Sequence, residues 1–519
     1  MKLKNFFYGF LVMIYAIGCN EPIIEQEALT QEQPTAIQLK AAAIGTKYFV
    51  AKSGNNADAG TLLKPFLTIQ KGLSVANAGD TVFVKGGIYQ EYVSFPKSGT
   101  IGNPIVLKNY AQDIVTIDAQ KIRIYCVSAN MKDYISIVGI RTTSSTNYNI
   151  KFNNCSNVII DNCQSDMLNL SPTIEGIVIT NSIRKSNYII KNSKINNASD
   201  GICIWEQVSN VLIQNCETKN SYYSGISVHS EADDSIVSPH HVIIDGVYSH
   251  NNDYAGIGVR NTVDIAIRNS HIAYNGATGI QLERNTYTSL IEDNIVEYNS
   301  RTREFETGVW VFKSPNSTVS RNIIRGNQTG IRVWYAKNFK IDYNLILNNI
   351  YKSTANPTSE NTSGVDFRES VGGFYNNVLY GNCASNSKLG SIHVFPEGVS
   401  NISIKNNIVM NDGSEKDMDF DHVGGSVVSS NFNLVYNTRR AINIEIGTTK
   451  YTWSAYKTMT KQDAHSVNAD PKFISLTNGN YNLQSMSPAI DKGVKITGIT
   501  TDYMNKIISG LRDIGAYEY

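Results

Sequence analysis

A chain of 519 residues with 41 % hydrophobic and only 18 % charged residues, rich in Asn, Ser, Gly, Tyr and Ile, has the makeup of a β-rich exported protein rather than a helical cytosolic one. The formal net charge of +1 excludes a general electrostatic attraction to nucleic acid or to an anionic membrane, so an acidic ligand has to be gripped by a local cluster of cations. Length alone allows several ordinary domains or one repeat array, and the pattern along the chain has to decide.

Lys2 and Lys4 precede an apolar run from Phe6 to Ile17, followed by Gly18-Cys19. The run is too short to remain as a spanning helix and reads as a signal peptide, residues 1–19. Ala16-Ile17-Gly18-Cys19 has the form of a bacterial lipobox, with Ala where Leu is usual, so Cys19 is expected to become the lipidated first residue; ordinary secretion is the alternative. Residues 20–43 read as a flexible tether. The expected setting is the outer membrane of a bacterial envelope, facing periplasm or surface, with membrane contact through the lipid alone.

From Pro65 to Ala78, apolar Phe66, Ile69, Leu73 and Ala76 recur close to a helical period, which predicts a helix over the N-terminal end of whatever follows. Then Gly, aliphatic, any residue, aliphatic recurs at Gly176, Gly201, Gly225, Gly256, Gly279, Gly308, Gly330 and Gly364, at irregular intervals of 22 to 34 residues. Between these motifs, aliphatics at period 2 precede an Asn by two or three residues, at Asn192, Asn215, Asn269, Asn322, Asn344 and Asn407, which reads as one corner repeated and stacked. Such a pattern predicts an all-β right-handed parallel β-helix over residues 44–435: no coil buries its apolar residues alone, and stacking at about 4.8 Å per coil supplies the core. A propeller would need a regular period near 40 and hairpin turns, and neither is present. Residues 436–519, with Trp453, read as an extension packing on and capping the last coils. Cys126, Cys155, Cys163, Cys203, Cys216 and Cys383 form no metal-binding spacing and read mostly as buried small hydrophobes.

Outside the repeats, Tyr48-Phe49-Val50-Ala51-Lys52-Ser53-Gly54, Lys64-Pro65-Phe66, Ala78-Gly79-Asp80-Thr81-Val82 and Gly87-Ile88-Tyr89 resemble the start of bacterial pectate-lyase-like β-helix proteins, including polysaccharide lyases of family nine. Ser487-Pro488-Ala489-Ile490-Asp491-Lys492-Gly493 and Arg512-Asp513-Ile514-Gly515-Ala516-Tyr517-Glu518 resemble their tail. The resemblance implies the solenoid, an extracellular setting and, in the family, an acidic calcium cluster with a catalytic Lys on the coil strands. This chain departs from both: only Asp200-Gly201 matches the Asp-Gly element, Tyr223-Ser224-Gly225 stands where paired aspartates are expected, and no Lys follows the Gly motifs at 201, 225, 256 and 279. Family-nine pectate lyase activity is thereby put in doubt.

Side chains alternate between the faces of a strand, so the positions between the aliphatics point outward. The last outward slot, coil by coil, reads Thr180, Trp205, His229, Arg260, Glu283, Phe312, Trp334, Arg368; the slot before it reads Val178, Cys203, Ser227, Gly258, Gln281, Trp310, Arg332, Asp366. An imidazole, a guanidinium and a carboxylate on consecutive coils can act on one sugar, and the indoles of Trp205, Trp310 and Trp334 are flat faces for pyranose rings. Glu206, Ser227, Gln281, Arg284, Arg332 and Arg368 complete the expected substrate contacts. The bland alternative is a salt-bridged surface under a loop.

β-Elimination of an acidic polysaccharide needs a base for the C5 proton, a cation on the carboxylate and a proton donor to the leaving oxygen. His229, Arg260 and one of Tyr222, Tyr223 or Tyr254 supply these, which makes a monomeric polysaccharide lyase the leading expectation. A glycosidase needs a second carboxyl group, which Glu283 would have to find on the loops carrying Glu231, Asp233 and Asp234 or Glu304 and Glu306; C5-epimerisation shares the first lyase step, and a non-catalytic glycan binder would keep only the aromatics. Asp233 and Asp234 also offer the oxygen ligands calcium takes, against the alternative of a solvated turn.

Overall fold

In the computed structural model the described residues are 45–519, without 169, 171, 232–237, 303–306, 352–361, 383–386, 388, 397, 399, 413–417 and 421–426. The signal peptide, Cys19 and the tether, as well as Asp233, Asp234, Glu304, Glu306 and Cys383, lie outside them. Among the described residues, no helix is long and apolar enough to cross a membrane.

The chain winds as a right-handed parallel β-helix. Each coil contributes a strand that follows the repeated Gly, a second strand that ends near the Asn corner and a short third strand. Ile226–His229, His240–Asp245 and Tyr248–His250 make up one such coil. The first two strands of the coils join a 28-stranded sheet, and the third strands form a 14-stranded sheet. Ile226–His229 pairs in parallel with Ile202–Gln214 on one side and Ile257–Arg260 on the other. Parallel strands enclosed on their inner face need the near-continuous aliphatic columns seen here, and Ile202, Ile226, Ile257, Ile280, Val309, Ile331 and Val365 are all fully buried.

The repeated Gly is needed for space. A Cβ on Gly256 would come within 2.3 Å of Ile272 Cγ2 and 2.8 Å of the Gly279 carbonyl oxygen, because the chain turns inward there against the 14-stranded sheet and the next coil.

The Asn corners resolve into two adjacent positions instead of the single one expected. Asn192, Asn215 and Asn269 take left-handed backbone with φ of 52°, 52° and 51°. Asn322, Asn344 and Asn407 stand one position later and are buried, while Arg321, Tyr343 and Asn406 fill the left-handed slot on their coils. The outer slot asks only for a turn; the inner one asks for a carboxamide. Asn294, Asn322, Asn344, Asn377, Asn407 and Asn433 form a ladder in which each Nδ2 donates to the next Oδ1 at 2.9–3.2 Å. A second ladder, not apparent from the repeats, runs through Asn252, Asn275, Asn299, Asn327, Asn349 and Asn382 at 2.8–3.1 Å. Cys126, Cys155, Cys163, Cys203 and Cys216 are free and buried.

At the N-terminal end, helix α1 (Ile69–Val75) begins at Thr68, whose hydroxyl accepts the Lys71 N–H at 3.2 Å, and lays Ile69 and Leu73 on the core of the first coil. At the other end the antiparallel hairpin Asn443–Ile446 with Thr449–Thr452 leads into helix α2 (Trp453–Thr460), and Tyr451, Trp453 and Tyr456 pack against the same core. The remaining tail takes a different position. Phe473, Tyr481, Leu483, Ala489, Ile514 and Tyr517 pack on the outer face of the 14-stranded sheet, over Leu345, Leu347, Val378, Ile408, Met410 and Leu434. Those strands are apolar on both faces because both are covered.

Candidate active site

The exposed face of the first strands carries the expected columns in register. Trp205, His229, Arg260, Glu283, Phe312, Trp334 and Arg368 are successive Cα partners across seven coils. Cys203, Ser227, Gly258, Gln281, Trp310, Arg332 and Asp366 form the parallel column beside them. His229, Arg260 and Glu283 therefore share one trough with the indole of Trp205, whose ring centroid is 5.4 Å from the imidazole.

His229 is held from two sides. Its Nδ1 lies 3.0 Å from Ser227 Oγ, and its Nε2 is 3.6 Å from Glu231 Oε1. The other oxygen of Glu231 is 3.7 Å from Arg260 Nη2, so one carboxylate bridges imidazole and guanidinium. Burial holds the His229 pKa below the ordinary imidazole value, Arg260 adds to that, and Glu231 and Glu206 oppose it. The neutral ring that can accept a proton is thus favoured. Glu283 accepts from Gln281 Nε2 at 2.6 Å. Beside Arg260, a Cβ on Gly258 would meet only Ser224, so the floor is open there.

Several polar atoms along this floor are shut off from water and have no hydrogen-bond partner among the described residues: Trp205 Nε1, Arg260 Nε, Gln281 Oε1 and Trp310 Nε1. Gln281 itself is only 2 % exposed. Buried donors and acceptors are normally satisfied, and these four atoms stand on neighbouring coils of one sheet face.

The downstream end is built differently. Arg332 and Asp366 are 3 % and 0 % exposed and clamp each other, with Nε 3.1 Å from both carboxylate oxygens and Nη2 at 2.9 Å. Trp334 donates Nε1 to the same carboxylate at 3.0 Å, and the guanidinium groups of Arg332 and Arg368 lie 4.6 and 4.3 Å from its ring centroid. Arg332 therefore sits beneath the trough as a structural ion pair, and the Trp334 ring is packed by cations. Glu206, inside the long strand Ile202–Gln214, and Arg284, just after the strand Ile280–Glu283, take left-handed backbone with φ of 61° and 34°. Glu206 accepts from Ser230 Oγ at 3.0 Å and from the Glu231 N–H at 3.3 Å, which steadies the loop that presents Glu231; Arg284 is exposed at the rim.

A third outward column stands immediately before each repeated Gly. It contains Tyr148, Glu175, Asp200, Ser224 and Ala255. The carboxylate oxygens of Glu175 and Asp200 and the Cys203 sulfur lie within 4.8 Å of one another. Burial and the Glu175 charge push Asp200 up to about 7, and burial drives the Cys203 thiol far above its ordinary range. Calcium takes six or more oxygen ligands, and two carboxylates with a thiol in the third place do not reproduce the acidic calcium cluster that the resemblance implies. Sequence reading passed over Glu175; the residue preceding the Gly in each motif was the available signal. Tyr222 and Tyr223 are exposed, with rings 4.8 Å apart, along this same edge.

Residues 175–350 and 300–440 match the right-handed β-helix region family, and residues 48–194 match the Pel9A-like right-handed β-helix region. Over 83 residues the chain is 32 % identical to pectate lyase PEL9 of Emericella nidulans, covering 16 % of this chain and 20 % of that one. Over 78 residues it is 35 % identical to the uncharacterized protein YwoF of Bacillus subtilis (strain 168), covering 15 % and 17 %. The chain thus spans a fifth or less of the length of these curated relatives. Among solved structures, XylC in complex with xylose aligns over 91 % of this chain and 98 % of its own at 13 % identity and a TM-score of 0.47.

Proposed function

This chain belongs to the right-handed β-helix family, and we propose that it is a carbohydrate-active enzyme that opens an acidic, uronic-acid-containing polysaccharide by β-elimination. The observation that carries the reading is the register of His229, Arg260 and Glu283 on neighbouring coils, with Trp205 at the end of the row. Arg260 neutralises the uronate carboxylate, which makes the C5 proton acidic. His229 takes that proton, the electron pair forms the C4–C5 double bond, and the C4–O4 bond breaks as O4 receives a proton. Trp205 and Trp310 give the neighbouring sugars apolar faces and Ser227 meets a hydroxyl group, while Gln281, expected as a contact, is buried and holds Glu283 instead. C5-epimerisation uses the same abstraction and returns the proton to the opposite face. Hydrolysis is favoured by one observation, the nearness of Glu231 to the Arg260 column, which brings a loop carboxylate to the row that holds Glu283. The name of pectate lyase PEL9, the relative matched over 83 residues, agrees with action on carbohydrate. The export signal and Cys19 fit an envelope lipoprotein that meets its polymer outside the cytoplasm.

The test is a panel of acidic polysaccharides read by the ultraviolet absorbance of unsaturated uronate and by reducing ends. Elimination raises both, hydrolysis the second alone, and the His229→Ala protein is expected to lose about 10²–10⁴-fold in turnover while still binding polymer. Undiminished turnover in that variant sinks the assignment.

A further inference from the structure

We propose that Arg284 and Lys313 form an anion-binding rail beside the candidate site, which holds the carboxylates of the sugars next to the one that Arg260 clamps. The protein then takes a run of adjacent uronates and discriminates against chains in which a uronate stands alone. The proposal rests on the acidic-polysaccharide reading above and narrows its substrate class.

The residue that follows the first strand takes left-handed backbone on these coils: Arg284, Lys313, Tyr335 and Glu369 have φ of 34°, 50°, 57° and 44°. Backbone bonds of 2.9 Å stack that slot from coil to coil, Arg284 N–H to the Phe312 carbonyl, Lys313 N–H to the Trp334 carbonyl and Tyr335 N–H to the Arg368 carbonyl. Arg284 and Lys313 are therefore neighbours on consecutive coils, about 4.8 Å apart along the stack. Both are exposed, and neither forms a salt bridge among the described residues. Glu283, beside Arg284 in the chain, accepts from Gln281, and Glu369 stands two coils beyond Lys313. Like charges stacked at that spacing repel each other, and no described carboxylate pairs with either to offset it.

The surroundings hold the Lys313 cation without cancelling it. Its ammonium lies 5.3 Å from the Phe312 ring centroid and 5.7 Å from that of Tyr335, two rings that meet edge-on at 5.7 Å. An aromatic face attracts a cation through its quadrupole and leaves the charge in place for an anion. One slot inward the arrangement is the opposite, because the Arg332 charge is cancelled by Asp366 at 2.9 Å. The buried cation is thus neutralised, and the two exposed ones keep their charge. His229, Arg260, Glu283 and Phe312 are successive register partners, so Arg260, Arg284 and Lys313 provide one cation per coil over three coils, at the same end of each strand. The rise of a coil, about 4.8 Å, is close to the advance of one pyranose along an extended chain, which gives each sugar its own cation. A carboxylate on each of those sugars matches the row, whereas a single uronate among neutral sugars leaves Arg284 and Lys313 without an anion.

The test is calorimetric binding of oligogalacturonates and oligomannuronates, from dimer to hexamer, to the full chain at low and raised salt. Native protein should bind the longer oligomers more tightly than the dimers, and all of them more weakly as salt rises. Arg284→Gln and Lys313→Gln should each weaken binding of the longer oligomers by about 3-fold and together by about 10-fold, with a shallower salt dependence and a smaller gain with length. Lys313→Arg keeps the charge and should keep the affinity. Lys108→Gln, which removes an exposed cation on the distant strand Ile105–Asn109, should change nothing. With a polymer that native protein eliminates, the double substitution should raise KM more than it lowers kcat. Equal affinity and equal salt dependence in native and doubly substituted protein overturn the rail, as do a native protein that binds none of the oligomers and binding that is unchanged when the carboxylates are reduced to alcohols. Binding of phosphatidylglycerol vesicles that is lost on the double substitution, without binding of the oligomers, also overturns it, since the cations then serve a lipid surface. If the oligomers bind through the rail but no acidic polymer yields unsaturated uronate, the elimination reading falls and the rail stands. If elimination proceeds with unchanged KM in the doubly substituted protein, the rail falls and the elimination reading stands.

Discussion

The proposed reaction needs a neutral imidazole at His229, and the surroundings of that ring favour the neutral form. Burial disfavours the imidazolium, Arg260 repels it, and the carboxylates of Glu231 and Glu206 partly restore it. The sign follows directly: a base with a lowered pKa stays unprotonated further into acid, so the ascending limb of the pH–rate profile should lie below the ordinary imidazole midpoint. Glu231→Gln withdraws the charge that favours the imidazolium and is expected to move that limb to still lower pH, measured as kcat/KM across pH; a limb that moves upward would show that Glu231 does not face the ring. At the same scale, Arg332 shows what a column position does not tell. It occupies an outward slot, yet the residue above it is Asp366, and the two lock together under Trp334. An arginine read as a substrate contact becomes a support through the identity of its neighbour one coil away, 34 residues on in the chain.

At the level of the elements, the amide ladders hold the coils in register. Asn344 donates to Asn377 Oδ1, to the Val319 carbonyl and to the Asp342 carbonyl, and accepts from both the backbone and side-chain nitrogens of Asn322. Leucine has similar volume and none of these bonds. Asn344→Leu should therefore cost at least about 3 kcal/mol, since several buried groups lose their partners together, and the loss should appear as a lower midpoint in denaturant unfolding. A change within about 0.5 kcal/mol would mean that the ladder is replaceable by packing. The ladder also needs an end. Asn433 donates to Asp463 at 3.1 Å, and Tyr456 of α2 donates its hydroxyl to the other oxygen of that carboxylate at 3.1 Å, so the helix that covers the last coil is tied to the final amide.

Across the whole molecule, the end cap and the side cover are separate devices. The hairpin and α2 close the core, whereas the tail after about residue 470 shields the outer face of the 14-stranded sheet. A chain ending at Asn468 should keep its β circular dichroism but expose Leu345, Val378, Ile408 and Leu434, and bind a hydrophobic dye or aggregate. A truncated protein that stays monomeric and dye-free would show that the tail is dispensable to that face. The solenoid, the two outward columns and the row from Trp205 to Glu283 were legible in the sequence, because a period of two and a repeated Gly restate the same local geometry on every coil. The double Asn position, the Arg332–Asp366 lock, the side cover and the Glu175–Asp200 pair were not, since each depends on which residue stacks above another across irregular loops or on where a tail folds back. Local periodicity therefore determined the scaffold and which side chains face outward; only stacking in three dimensions decided which of them pair off and which stay exposed, because these outcomes depend on distances of a few ångströms between residues far apart in the chain.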